Sequence, residues 1–261
     1  MPMNSGWFGT SILKRNASAI AVFILLFAAW DAICRLVKVP DWLLPAPSRI
    51  CEEVWKQRSL IPPHLFATAY EVVLGFILAL VLGVLIAIII VLSPTARKIV
   101  YPILIFLQSV PKVALAPILL LWVGYGLESK VLLAGITAFF PIIINSSTGM
   151  QSVPEEMLEL TRSLHSPSLK VFWKVRLPNA MPYLFGGMKV AVPLSLIGAV
   201  VGEFVGSDQG LGYMILTYSS TMNTSLVFGA MFILAILGMV LFYLVVVAER
   251  VLCPWYSAKI E

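Results

Sequence analysis

Six long apolar runs organise the chain, each close to the roughly 20 residues that an α-helix needs to cross a bilayer. They lie at about residues 17–37, 68–92, 99–123, 131–150, 183–204 and 226–248. The first run lacks the small-residue cleavage pattern of a signal peptide, so we interpret it as a retained span. The pattern predicts an all-α polytopic membrane protein with six transmembrane helices. One transmembrane domain would cover residues 17–250, between an N-terminal tail over residues 1–16 and a C-terminal tail over residues 251–261.

Composition excludes a soluble domain. Of the 261 residues, 60% are hydrophobic and only 12% are charged, and the mean hydropathy is +0.96. Soluble domains are about half apolar and about a quarter charged. The net charge of +5 is small for this length, and it indicates membrane orientation rather than a nucleic-acid partner. The three cysteines, Cys34, Cys51 and Cys253, have no metal-binding spacing, so no metal site is predicted.

The distribution of cations predicts the orientation of the spans. Grouping the two termini with the second and fourth connections collects eleven lysines and arginines, against six on the opposite side. Because cytoplasmic loops carry the excess of Lys and Arg, both termini are predicted in the cytoplasm. On the outer side, residues 48–58 read as a short amphipathic helix.

Small residues recur in steps of four along two of the spans. Gly75, Ala79, Gly83 and Ala87 follow this spacing in the second span, and Gly198, Gly202 and Gly206 follow it in the fifth. Small residues at this spacing let membrane helices approach closely. These two spans are therefore predicted to pack tightly on neighbouring helices.

Residues 152–178 form a polar insert between the fourth and fifth spans, and they predict two short helices. Ser152 and Glu155 have the spacing of a capping box for the first helix. A turn is expected at His165, after which Ser166 would cap the second helix, with Pro167 in its first turn. Pro178 is predicted to end that helix.

Each predicted insert helix has an apolar face. Met157, Leu160 and Leu164 line the first helix, and Leu169, Phe172 and Trp173 line the second. An exposed apolar face on a short cytoplasmic helix favours a partner protein. The alternative is that these faces pack on the ends of the chain's own spans.

The stretch PEEMLELTRSLHSPSLKVFWKVRLPNAMPYLFGGMKVA, residues 154–191, resembles the EAA loop of permease subunits of ATP-binding-cassette (ABC) importers. Glu159, Leu160 and Thr161 stand at the Glu-Ala-Ala positions of that pattern, and Leu177-Pro178 at its Leu-Pro. The sequence departs from the pattern at Leu160, at Thr161, and at His165, which replaces a glycine. Histidine tolerates left-handed backbone better than most residues do, so the turn can survive.

Other stretches extend the resemblance over about residues 43–249. They are similar to the nitrate, taurine and sulfonate branch of the family, and they run LLPAPSRI, QSVPKVALAPILLLWVGYG, AFFPIIINSSTGMQSVPEE and GEFVGSDQGLGYMI. The resemblance implies a type I importer in the bacterial inner membrane, with two six-span permeases, two ABC ATPases and an external solute-binding protein. A homodimer of this chain is favoured over a heterodimer.

The resemblance also implies a role for the insert, which would be the element that couples the ATPase to the spans. The residues assigned to this role are Glu159, Leu160, Arg162, His165, Leu169, Phe172, Trp173 and Pro178. The chain has no Gly-x4-Gly-Lys-Ser/Thr phosphate loop, so ATP and magnesium would bind to the partner ATPase and no cofactor to this chain. With no plausible nucleophile–base pair either, the chain is not expected to be an enzyme. A channel and a membrane-embedded enzyme are the alternative functions.

Charged and polar residues inside the spans are candidates for the translocation path. Gln108, Ser109, Pro111 and Lys112 cluster in the third span, where proline frees backbone carbonyls that are tolerable beside a water-filled cavity. Lys112 would attract an anionic solute there, unless it snorkels to the headgroups or pairs within the bundle. Glu203, near the outer end of the fifth span, is a possible partner of Lys112 or part of an outer gate.

One further charged pair is predicted within a helix. Asp31 and Arg35 in the first span lie four residues apart, with the acid N-terminal, and they are expected to pair with each other.

Overall fold

The computed structural model describes the backbone of residues 7–257 and the side chains of residues 21–256, and in this part every regular element is helical. The helices are α1 Trp7–Val37, α2 Pro47–Lys56, α3 Ile61–Leu92, α4 Pro94–Ser109, a 3-10 turn Lys112–Leu115, α5 Ala116–Val123, α6 Leu127–Gln151, α7 Glu155–Ser163, α8 Ser168–Val171, a π-helical turn Phe172–Arg176, α9 Leu177–Gly206, α10 Leu211–Ser220, α11 Thr224–Leu252 and α12 Pro254–Ser257. The predicted terminal tails extend beyond the described residues.

Four of the described helices are long and apolar enough to cross a membrane, namely α3, α6, α8 continued into α9, and α11. The predicted third span is not one straight helix. Its two halves, α4 and the segment Lys112–Val123, meet at an angle of 86°. Val110 is extended, with φ −70° and ψ 128°, because a residue before proline is pushed out of the helical region. The predicted first span lies within α1, of which the described side chains begin at residue 21.

The chain divides into two compact units. The first contains residues up to Ile61 together with Ile215–Met231, and the second contains Pro62–Met214 together with the residues from Phe232 onward. In the first unit, the predicted amphipathic helix is confirmed as α2. The carboxylate of Asp31 accepts hydrogen bonds from the backbone N–H of Ser48 at 3.1 Å and from its hydroxyl at 2.6 Å. Asp31 also pairs with Arg35 at 2.7 Å, which confirms that prediction.

In the second unit, α6 and α9 pack antiparallel at very close range. A Cβ built on Gly149 would lie 2.9 Å from Ala180 Cα, one on Gly198 would lie 2.7 Å from Ala134 Cα, and one on Gly202 would lie 3.2 Å from Lys130 Cα. Only a glycine lets the two backbones approach this closely. The predicted small-residue ladder of the fifth span is therefore a helix interface.

The ladder of the second span is also an interface. Gly75 of α3 faces Gly135, whose backbone nitrogen would lie 3.0 Å from an added Cβ, and Gly83 faces Ile142. Ala79 and Ala87, which continue the ladder, are buried. Gly75 faces Gly135 and Gly83 faces Ile142, so residue numbers increase in the same direction along α3 and α6, and the two helices run parallel.

The second helix of the insert does not end at Pro178, so that prediction is wrong. Helix α8 continues through the π-helical turn into α9, so one helical segment runs from Ser168 to Gly206. Pro178 is the second residue of α9, after Leu177. There its missing N–H is tolerated, because the π turn before it interrupts the regular hydrogen-bond ladder.

The caps predicted for the insert are wrong, but its turn is confirmed. The N-cap residues are Pro154 for α7 and Pro167 for α8, and neither helix has a side-chain cap. Ser152 instead ends α6, where its hydroxyl donates to the carbonyl of Gly149 at 3.0 Å. His165 has a positive φ of 51°, so it takes the left-handed conformation that the turn requires.

Two glycines of the same helix test the close packing of α6 on α9. An alanine at Gly198 would overlap Thr137 and the backbone of Ala134, whereas nothing lies within 4 Å of a Cβ at Gly186. We expect Gly198→Ala to lower the free energy of unfolding in micelles by about 1–3 kcal/mol, the typical cost of overpacking. Gly186→Ala should leave it unchanged or raise it by up to about 1 kcal/mol. Equal stability of the two variants would contradict the packing described here.

Candidate functional site

A buried polar cluster lies where the N-terminal parts of α3 and α6 meet the C-terminal end of α9. It consists of Thr68, Glu71, Lys130 and Glu203, each less than one-tenth exposed. The ammonium of Lys130 forms an ion pair with Glu71 Oε1 at 2.6 Å. The hydroxyl of Thr68 donates to Glu203 Oε1 at 2.6 Å. Three helices are thus joined by charged and hydroxyl groups at one end of the second unit.

The cluster also fixes the loop that follows α9. The backbone N–H of Gly212 donates to Glu203 Oε2 at 2.5 Å, and that of Leu211 donates to the Thr68 hydroxyl at 2.8 Å. Gly210 has a φ of +112°, and a Cβ there would overlap the Glu203 carboxylate. The sequence Gly-Leu-Gly at 210–212 is therefore what lets the backbone close over the buried acid.

Lys130 connects the cluster to the same loop. Its ammonium donates to the hydroxyl of Ser207 at 2.9 Å. At the loop's other end, the backbone N–H of Gly210 donates to His64 Nδ1 at 3.1 Å. The second carboxylate oxygen of Glu71, Oε2, is buried without a hydrogen-bond partner among the described residues. Among the described residues, the carboxylate that pairs with the Lys130 ammonium is that of Glu71, whereas the Glu203 carboxylate is held by Thr68 and Gly212.

Sequence reasoning missed most of this cluster. It placed Lys130 among the outer cations and did not single out Glu71, although Glu71 lies inside the predicted span 68–92. The rule that drew attention to Lys112, that a charge within a span is costly and needs a partner, applies equally to Glu71.

Of the two alternatives for Glu203, the pairing with Lys112 is wrong. The ammonium of Lys112 donates to the carbonyl of Gln108 at 2.8 Å and lies 5.1 Å from the centre of the Phe140 ring. Glu203 is bound within the buried polar cluster instead. Gln108, Ser109, Pro111 and Lys112 do lie together, at the bend between α4 and α5, where the hydroxyl of Ser109 donates to the carbonyl of Ile105 at 3.1 Å.

The insert exposes most of its apolar residues. Those that are more than half exposed are Met157, Leu160, Leu164, Leu169 and Trp173. Phe172 is the exception, since it is only 6% exposed and packs with Met150 and Ala180. The predicted face of Leu169, Phe172 and Trp173 is therefore wrong for Phe172, which anchors the insert to the spans. Glu159, Arg162 and His165 are exposed, and Arg162 pairs with Glu155 at 3.0 Å.

Apolar spans, a broken span and an exposed amphipathic insert define a polytopic membrane protein with a polar element outside the spans. The chain belongs to the family described as "Binding-protein-dependent transport system inner membrane component", which matches residues 79–257. It is a non-catalytic, multi-pass permease subunit of an ABC importer and works with an ATPase and a binding protein.

Two curated relatives illustrate the similarity. The chain is 34% identical over 247 residues to the formylaminopyrimidine transport permease protein ThiX of Halalkalibacterium halodurans, covering 93% of this chain and 98% of that protein. It is 33% identical over 237 residues to a putative aliphatic sulfonates transport permease protein SsuC of Bacillus subtilis, covering 90% and 86%.

The fold matches a solved transporter. A chain of the MetNI methionine ABC transporter, in an inward-facing conformation, superposes with a TM-score of 0.67 at 18% identity. The match covers 75% of this chain and 97% of that chain. At this identity the likeness supports the type I importer fold alone.

The buried pair of Lys130 and Glu71 should be far more costly to break than an exposed pair. Lys130→Met leaves Glu71 buried without its cation, and we expect the free energy of unfolding to fall by about 3–5 kcal/mol. Lys56→Met removes a surface cation that pairs with Glu52 at 3.0 Å and with Glu53 at 2.8 Å, and it should leave the free energy of unfolding nearly unchanged, because solvent screens exposed pairs. Adding Glu71→Gln to Lys130→Met should recover part of the loss. If the two lysine variants are equally stable in micelles, the pair does not hold the helices together.

Proposed function

We propose that this permease moves a small anionic solute along a path beside the bend between α4 and α5. The observation that carries the proposal is the position of Lys112, a half-buried cation at a break in a membrane span. Lys112 has no carboxylate partner among the described residues, although it donates to the Gln108 carbonyl. A cation at the centre of a span costs about 2.5–3.5 kcal/mol on insertion scales, so it is retained where water or an anion can reach it. The sulfonate permease SsuC, which resembles this chain, supports an anionic solute.

The insert would receive the ATPase. Its exposed side chains Leu160, Leu164, Leu169 and Trp173 would together form the apolar surface that the ATPase contacts. Glu159, Arg162 and His165 would border that surface. Phe172 holds the insert to the spans, and Pro178 lies in the first turn of α9, where the insert continues into a span. ATP and magnesium would bind to the ATPase, and the excess of cations on the insert side supports placing both termini in the cytoplasm.

We assign Glu203 to the outer gate as a positioning residue. It fixes the loop 207–212 by accepting a hydrogen bond from the backbone N–H of Gly212. The permease would act as a dimer, because one chain carries a single insert and a two-fold transporter needs two. Two copies of this chain, a homodimer, are favoured over two different permeases.

The docking surface is tested by placing a charge on it. Trp173 is 59% exposed, and a tryptophan at the centre of an interface typically contributes at least about 2 kcal/mol. We expect Trp173→Glu to reduce the ATPase that co-purifies with the permease by roughly tenfold or more. The matched control is Trp255→Glu, since Trp255 is 51% exposed in α12, outside the insert. Full retention of the ATPase by the Trp173 variant would place the docking surface elsewhere.

The anion path is tested at Lys112. Lys112→Met keeps the length of the side chain and removes its charge. We expect uptake into vesicles to fall roughly tenfold, the loss of one charge-assisted contact, while the ATPase stays attached and the binding protein keeps its affinity. Lys112→Arg should retain much of the uptake, and the exposed Lys56→Met should retain all of it. Normal uptake by Lys112→Met would leave this lysine without a role in transport.

A further inference from the structure

A cavity of about 800 Å³ opens at the insert end of the second unit, away from the buried polar cluster. The last turn of α3, the start of α4, the end of α6 and the first turn of α7 surround it. Arg97, Lys98 and Tyr101 contribute from α4, Gln151 from α6 and Arg176 from the π-helical turn. The volume is within the range of ligand-binding pockets.

The charges around this cavity are unbalanced. Three cations line it, against one acid, Glu155. That acid already pairs with Arg162 at 3.0 Å. Within the described part of the chain, no carboxylate lies within ion-pair distance of Arg97, Lys98 or Arg176. Among the described residues, the one hydrogen bond that the Arg176 side chain donates is long, at 3.4 Å, and goes to the carbonyl of Met150.

The cations reach the cavity from separate parts of the chain. Arg97 and Lys98 begin α4, whereas Arg176 lies 78 residues further on, just before α9. Because Arg97 and Lys98 are exposed, water screens their mutual repulsion, and an anion in the cavity would lower that repulsion further. Two guanidinium groups, an ammonium, a phenol and an amide together provide donors suited to a phosphate group.

The cavity also has an apolar side. Ile90 and Val91 of α3 and Pro102 of α4 line it, at the ends of two membrane spans. A basic pocket between spans at the cytoplasmic face matches the headgroup and first acyl carbons of an anionic lipid. This placement in the inner leaflet rests on the orientation given under the proposed function.

We propose that this cavity binds a phosphate group, carried by an anionic membrane lipid or by a soluble phosphate, in contact with Arg97, Lys98 and Arg176. Because the cavity lies between the spans and α7 of the insert, a bound phosphate would join the insert to the ends of α3 and α4.

The test compares R97Q/K98Q with wild type in the purified permease–ATPase complex. Both residues are exposed, so the double change should leave the fold intact. Native mass spectrometry would measure retained phosphatidylglycerol against phosphatidylcholine after exchange into vesicles of each lipid, and a parallel titration would use inorganic phosphate. Lys174→Gln is the matched control, because Lys174 is an exposed cation of the insert that does not line the cavity.

We expect wild type and Lys174→Gln to retain phosphatidylglycerol at least tenfold more strongly than R97Q/K98Q does, with no such difference for phosphatidylcholine. A difference seen only with inorganic phosphate would assign the site to a soluble phosphate. If the double variant matches wild type with both probes, the cavity is not a phosphate site. Attachment of the ATPase is measured in the same samples, so failure of the docking proposal would show separately.

Discussion

The close approach of α6 and α9 determines the positions of the other parts of the second unit. The two helices meet backbone to backbone at Gly149, Gly187, Gly198 and Gly202, where an added Cβ would lie within about 3 Å of the opposite helix. Without water in a bilayer, association depends on this kind of packing rather than on the hydrophobic effect. The antiparallel pair then has two ends, one formed by the start of α6 and the end of α9, and the other carrying the insert.

The two ends of the α6–α9 pair have different structures. At the start of α6 and the end of α9, the polar cluster is buried, and Lys130 and Glu203 hold the loop 207–212 over the spans. The other end exposes the insert, anchored by Phe172 against Met150. Because α8 continues through the π-helical turn into α9 as one helical segment, a force applied to the insert would pass directly into a membrane span. This continuity is the property expected of an element that couples an ATPase to a translocation path.

Sequence patterns predicted features that depend on local spacing. They include the long spans, the glycine ladders, the pair of Asp31 with Arg35, and the left-handed turn at His165. Each of these features is recognised from residues that lie close together in the sequence. The features that were missed depend on contacts across the fold. Helical periodicity does not show that Lys130 turns inward to Glu71, nor that a π turn lets the helix pass through Pro178. The roles of Lys112 and of the exposed insert residues remain predictions that the fold accommodates.

The central claim is that this chain supplies half of a two-fold transporter and that each copy's insert holds one ATPase. Native mass analysis of the complex, purified through a tag on this chain, tests it most directly. The account predicts two copies of the 28.6 kDa chain together with two ATPase subunits. A complex that contains a single copy of the chain, or two copies with no ATPase attached, would contradict it.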